Sequence, residues 1–183
     1  MADSDIADSF GARALTTIRI AGFDPGLSRT GWGIIDVTGS KLIHVANGVI
    51  ATKASIGLGE RLALLYAGIC VVLATHAPQA VAVEQAFVAK DPSAALKLGH
   101  ARAIALLAAA QAGIAISEYA PNHIKKSVVG VGHASKDQIQ AMVRRLLPAV
   151  RFDAADAADA LACAIAHAHL AGTRARIAAA LAS

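Results

Sequence analysis

Residues 18–37 read IRIAGFDPGLSRTGWGIIDV. Two apolar runs flank the join DPGLSRTG, where Pro25 and Gly26 mark a turn. Residues 18–24 are expected as a strand that ends by delivering Asp24. TGWGIIDV (30–37) and KLIHVANGVI (41–50) are expected as two further strands, joined by a short turn around Gly39 and Ser40. Connections this short imply antiparallel neighbours. The acid at the end of the first run needs a reason. Burying one ionised carboxylate costs several kcal/mol even after the protein relaxes.

Working outward, Leu62, Leu65, Ile69, Val72 and Leu73 fall on one helical face between Leu58 and His76, and Pro78 ends that helix. AVAVE (80–84) is a short strand of the kind buried on both faces, and it too ends in an acid, Glu84. Asp91 and Pro92 suit the N-cap and first turn of a helix running to about Gln111. IAISE (114–118) is another buried strand, and a short helical piece follows Pro121. After the glycine-bearing loop VVGVGHA, Ser135 and Gln138 form a capping box that opens a helix through Leu147. The last helix is expected to begin near Asp153 and end near Gly172. The order is β-β-β-α-β-α-β-α-α: an α/β mixed sheet flanked by helices, with three antiparallel strands followed by parallel ones. Residues 1–17 are expected as a poorly ordered leader, 18–172 as one domain and 173–183 as a short tail.

Composition narrows the class. The chain of 183 residues suits one domain, and with 56% hydrophobic but only 4% aromatic residues its core must be built from Ala, Val, Ile and Leu. No apolar run reaches the ~18 to 20 residues of a membrane span, and the acidic start lacks the basic and apolar regions of a secretory signal. Cys70 and Cys163, the only cysteines, lie in apolar helical stretches and read as core residues of a protein in a reduced, cytoplasmic setting. The net charge is +4 although Asp3, Asp5 and Asp8 crowd the leader, so the body is more basic than the whole. A basic surface beside clustered acids suits a polyanionic substrate, although a merely solvated face gives the same count.

Four acids form the central constellation. Asp24 and Glu84 end strands, where open α/β sheets place their sites. Asp156 and Asp159 stand i and i+3 on one helix face. If that helix crosses the strand ends, the four carboxylates meet and can hold two divalent ions about 4 Å apart, with Asp24 bridging them. Mg2+ is the cation such hard oxygen donors suit. Each acid also has an ordinary reading: Asp24 caps a turn, and Asp156 and Asp159 complement a helix dipole. Asp153 fits the N-cap of that helix, which leaves open which acids of the run bind metal. Glu84 is harder to dismiss, because it interrupts an apolar strand.

The segments IAGFDPGLSRTGWGIID, AVEQAFVAKDPSAALKLGHARAIA, SVVGVGHASKDQIQAMV and DAADALACAIAHAH resemble the RuvC family of Holliday junction resolvases, over residues 18–169. The resemblance implies a ribonuclease-H-like fold, a homodimer, and Mg2+-dependent nicking of four-way junction DNA in recombination and repair, with Mn2+ as a substitute and RuvAB as a branch-migration partner. It makes Asp24, Glu84, Asp156 and Asp159 the catalytic, metal-holding set. It also implies that Phe87 stacks on a junction base, against its ordinary reading as a packing residue. Lys90, Lys125 and Lys136 would contact phosphates, which position a strand without reading it. The long acidic leader departs from the family pattern.

Three other classes bear weighing. An actin-like phosphate-binding enzyme shares the Asp-x-Gly turn but needs two such halves. A related nuclease would cut other branched or RNA substrates. A non-enzymatic junction binder would use the same basic face. The loop 130–135 offers backbone N–H groups to a phosphate, and of the three histidines near the site (His133, His167, His169) a structural role is expected for His167.

Overall fold

The computed structural model describes residues 16–85 and 91–181. Ten elements follow in order: β1 (Thr17–Asp24), β2 (Arg29–Thr38), β3 (Lys41–Ala51), α1 (Leu58–His76), β4 (Ala80–Glu84), α2 (Pro92–Gln111), β5 (Ala115–Tyr119), α3 (Pro121–Val129), α4 (Lys136–Leu146) and α5 (Ala155–Leu181). They form one sheet with strand order β3-β2-β1-β4-β5. The first three strands pair antiparallel, while β1 to β4 and β4 to β5 are parallel. This is the expected mixed sheet, with β1 at its centre. The expected leader falls outside the described residues, apart from its last two positions.

Strand side chains alternate between two layers. Ala21, Phe23, Ile34, Val81 and Val83 face α1 and α2. Ile20, Ile35 and Ala82 face α4 and α5. Asp24 and Glu84 share parity with Ile20 and Ala82, so they too belong to the α5 side. The apolar layers hold the sheet from both faces, which is why β1 and β4 read as nearly continuous hydrophobic runs.

Local signals account for several boundaries. Asp91 accepts from the Ser93 N–H at 2.9 Å, and Pro92 fills the first turn of α2. Ser135 and Gln138 form both halves of the capping box at α4. Gly130, at φ 92, takes the left-handed conformation that ends α3.

Three expectations need correction. The piece after Pro121 is a complete nine-residue helix, so three helices close the chain. The last helix starts at Ala155 and runs through Gly172 to Leu181, past its expected end. One glycine costs only about 1 kcal/mol in a helix interior, and the alanine-rich run beyond it restores helix propensity. Finally, α1, with 19 residues, is long and apolar enough for a bilayer by length and composition. Its Ile69, Val72 and Leu73 instead pack on the sheet and Leu65 packs with Leu27 and Ala101, while Leu64 and Val71 face outward.

Candidate active site

Asp24 and Glu84 are neighbours because β1 and β4 are parallel, with Phe23 opposite Val83 one residue earlier. Both strands end here, so the two carboxylates leave the sheet side by side. Across β1 and β2, α5 lies unusually close. A Cβ on Gly22 would sit 2.1 Å from the Ala160 carbonyl oxygen, and one on Gly31 would sit 2.0 Å from that of Asp156. Gly22 pairs with Gly33, and Asp24 with Gly31. The bare backbone of these glycines, met by the alanines of α5, lets the helix rest against the strands. That contact carries Asp159 to Asp24 and Glu84.

Asp24, Glu84 and Asp159 line one cavity of about 270 Å³, closed by Pro121, Ile124, Ile139 and Ala162 and edged by Lys125 and Lys136. The Lys136 Nζ stands 3.5 Å from Asp159 Oδ2. Asp156 is not in this lining. It sits at the rim, where Arg29 Nε donates to its Oδ2 at 2.6 Å. Asp153 is exposed just before the helix.

The electrostatics follow from this crowding. Burial first, then the charges of Asp159 and Asp156, push Asp24 up to about 7, with Lys136 opposing. Burial, Asp24 and Asp159 likewise raise Glu84 to about 8, against Lys136 and Lys125. Burial also raises Asp159, and Lys136 limits that rise. Carboxylates placed where ionisation is costly call for a cation.

Among the described residues, no three His, Cys, Asp or Glu side chains already form a closed metal-binding group. Arg29 pairs with Asp156, and Lys136 with Asp159. The donors nonetheless fit a hard divalent ion: all are carboxylate oxygens, three open on one cavity and the fourth stands one helical turn away.

The other residues singled out from the sequence divide clearly. Lys125 and Lys136 reach the cavity. Phe87 and Lys90 lie outside the described residues. His167 Nδ1 pairs with the Tyr119 hydroxyl at 2.8 Å, and His169 Nδ1 donates to the Ser127 carbonyl at 3.0 Å, so both tie α5 to its neighbours. Cys163 is fully buried below the site, and burial pushes its thiol well up. Sequence reasoning passed over Arg29. Its signal was modest: a base five residues after Asp24, within the turn.

Comparison with known proteins gives a consistent result. The family described as Crossover junction endodeoxyribonuclease RuvC matches residues 20–167. A crossover junction endodeoxyribonuclease RuvC of Parvibaculum lavamentivorans is 61% identical over 160 residues, 87% of this chain and 91% of that protein. The protein of the same name from Paracoccus denitrificans is 60% identical, over 83% of this chain and 92% of its own. Among solved structures, T. thermophilus RuvC in complex with a Holliday junction substrate superposes with a TM-score of 0.81 at 34% identity, covering 86% of this chain and 96% of that one.

Proposed function

The chain belongs to the RuvC family of crossover junction endodeoxyribonucleases, and from that premise we propose that it resolves four-way DNA junctions by paired, Mg2+-dependent nicks. The observation that carries this reading is the meeting of Asp24, Glu84 and Asp159 at one cavity edged by two lysines. Asp24, Glu84, Asp156 and Asp159 would hold two divalent cations, Mg2+ or in its place Mn2+. When bound, such a pair polarises a phosphodiester and acidifies a water.

The side chains divide the remaining work. Asp24, beside Glu84 at the paired strand ends and lining the same cavity as Asp159, would supply its carboxylate to the cations. Lys125 and Lys136 offer ammonium groups to phosphates at the cavity edge. Ile124, Ile139 and Ala162 give the cavity an apolar wall. Phe87 is proposed to stack on a junction base, and Lys90 to contact a phosphate. A homodimer puts one site on each opposed strand of a nearly twofold junction. Leu64 and Val71 of α1 and Leu96 and Leu107 of α2 are exposed apolar side chains that suit such pairing. A cytoplasmic setting and cooperation with RuvAB complete the reading.

Cleavage of a synthetic four-way junction against a matched linear duplex tests it. The junction should be nicked in Mg2+ and spared in EDTA. Equal rates on junction and duplex would favour a nuclease of different substrate choice.

Lys125→Ala and Lys136→Ala should each weaken junction binding and reduce the slope of log K against log salt by about 0.9. An unchanged slope, measured by fluorescence anisotropy, removes that lysine from the DNA surface.

The raised carboxylates also set a pH dependence. Asp24 and Glu84 keep their protons to about 7 and about 8 in the cation-free fold, whereas in the unfolded chain both ionise at roughly pH 4. Between these limits the folded state binds more protons, so stability falls as pH rises. The contribution is complete below about pH 4 and gone above about 8. Melting in EDTA should therefore occur at lower temperature at pH 8.5 than at pH 5.5. In an Asp24→Asn, Glu84→Gln double variant the difference should shrink, and an undiminished one sinks the assignment.

A further inference from the structure

Asp156 is the acid that the cavity leaves out, and Arg29 is what detains it. Arg29 opens β2 and donates Nε to Asp156 Oδ2 at 2.6 Å. Its side chain is about half exposed, at 51%. Among the described residues its two terminal nitrogens have no partner. The contrast with other arginines is informative. Arg19 spends all three nitrogens on Asp36 and the His76 carbonyl, Arg61 spends two on Thr52 and Ser28, and Arg102 spends two on Glu118. Those guanidinium groups are held at two or three nitrogens, and that of Arg29 at one.

The pair is also held by backbone on both sides. The Thr30 hydroxyl donates to the Gly26 carbonyl at 2.9 Å, and the Thr52 N–H donates to the Ser28 carbonyl at 3.0 Å. These bonds fix the chain on either side of Arg29. The Asp156 carbonyl rests against Gly31, where even a methyl group would not fit. An exposed pair between two mobile surface side chains contributes little and signifies little. Here the fold brings the two together where the charge of Asp156 acts on both Asp24 and Asp159.

We propose that Arg29 is a positioning residue that couples DNA docking to cation loading: it neutralises Asp156 in the free protein, then exchanges it for a backbone phosphate of the junction and so releases the fourth carboxylate to the site. Guanidinium suits the exchange, because its planar fork matches the oxygens of a phosphate as well as those of a carboxylate. The consequence is order. Free protein holds divalent cations with an incomplete donor set, and DNA completes it. This inference rests on the reading of the four acids as cation ligands.

Arg29→Ala, Arg29→Gln and Arg29→Lys test the idea in the full chain, with circular dichroism to verify folding. The first measurement is Mn2+ binding to the DNA-free protein by calorimetry. With no guanidinium competing for Asp156, Arg29→Ala and Arg29→Gln should bind Mn2+ about three- to tenfold more tightly than wild type, and Arg29→Lys should fall between. The second is junction binding in EDTA over a range of salt. Both neutral variants should bind more weakly, with a log–log slope shallower by about 0.9. Unchanged or weaker Mn2+ affinity in a folded neutral variant overturns the proposal, as does an unchanged salt slope. Neither readout uses cleavage. Failure of wild type to prefer a junction over duplex would reject the proposed function, whereas failure here with that preference intact rejects only the role of Arg29.

Discussion

Asp24→Asn should abolish junction cleavage, by about a thousandfold or more, while leaving the fold and junction binding in place. A loss of that size corresponds to at least about 4 kcal/mol of barrier. Asp24 shares its cavity with Glu84 and Asp159 and feels the charges of Asp159 and Asp156, so under the proposed reading its loss would weaken cation binding by the whole acid set. Asparagine keeps the shape but supplies one neutral oxygen and an N–H₂ group, which no hard divalent ion accepts. Folding should not suffer. In the cation-free protein Asp24 is already costly to ionise because of burial and its acidic neighbours, and the amide removes that burden. Binding should survive because phosphate contacts come from basic groups around the cavity. The measurements are single-turnover cleavage with Mg2+, anisotropy on the same junction, and a melting curve. Cleavage persisting in a nuclease-free preparation of the variant would reject the site.

Gly22→Ala should produce the next largest effect, and through packing. The added Cβ would stand 2.1 Å from the Ala160 carbonyl oxygen and 2.7 Å from the Ala164 N–H nitrogen. Both are backbone atoms, so no rotamer change relieves the clash. The helix or the strand must move, at a cost of about 3 kcal/mol in denaturant unfolding. Activity should fall further than stability predicts, because a displacement of about 1 Å at a reacting centre costs roughly a hundredfold. Gly99→Ala is the control. That site lies on α2 with nothing within 4 Å of the added Cβ, and the change should be neutral or stabilising by up to about 1 kcal/mol. Equal stability of the two variants would show that α5 does not depend on the glycine contact.

Much of the architecture is legible in the chain because its signals are local. The Asp91-Pro92 start, the Ser135–Gln138 box and the spacing from Leu62 to Leu73 each specify an element within a few residues. The period-2 alternation of β1 and β4 also decides which face Asp24 and Glu84 take. The end of α5 is less legible for a related reason. Gly172 resembles a stop signal, but the alanine-rich run beyond it outweighs the cost of one glycine.

By itself, then, the amino-acid order determined the strands and helices, the strand-end acids and the Asp156–Asp159 stripe. It left unspecified how near that stripe comes to the sheet. Only the tertiary structure decided that Asp159 enters the cavity while Asp156 stays at its rim with Arg29, 127 positions earlier. The reason is physical: a helix face follows from 3.6-residue periodicity, whereas its distance from a strand depends on which atoms lie between them. Gly22 and Gly31 leave nothing but backbone there.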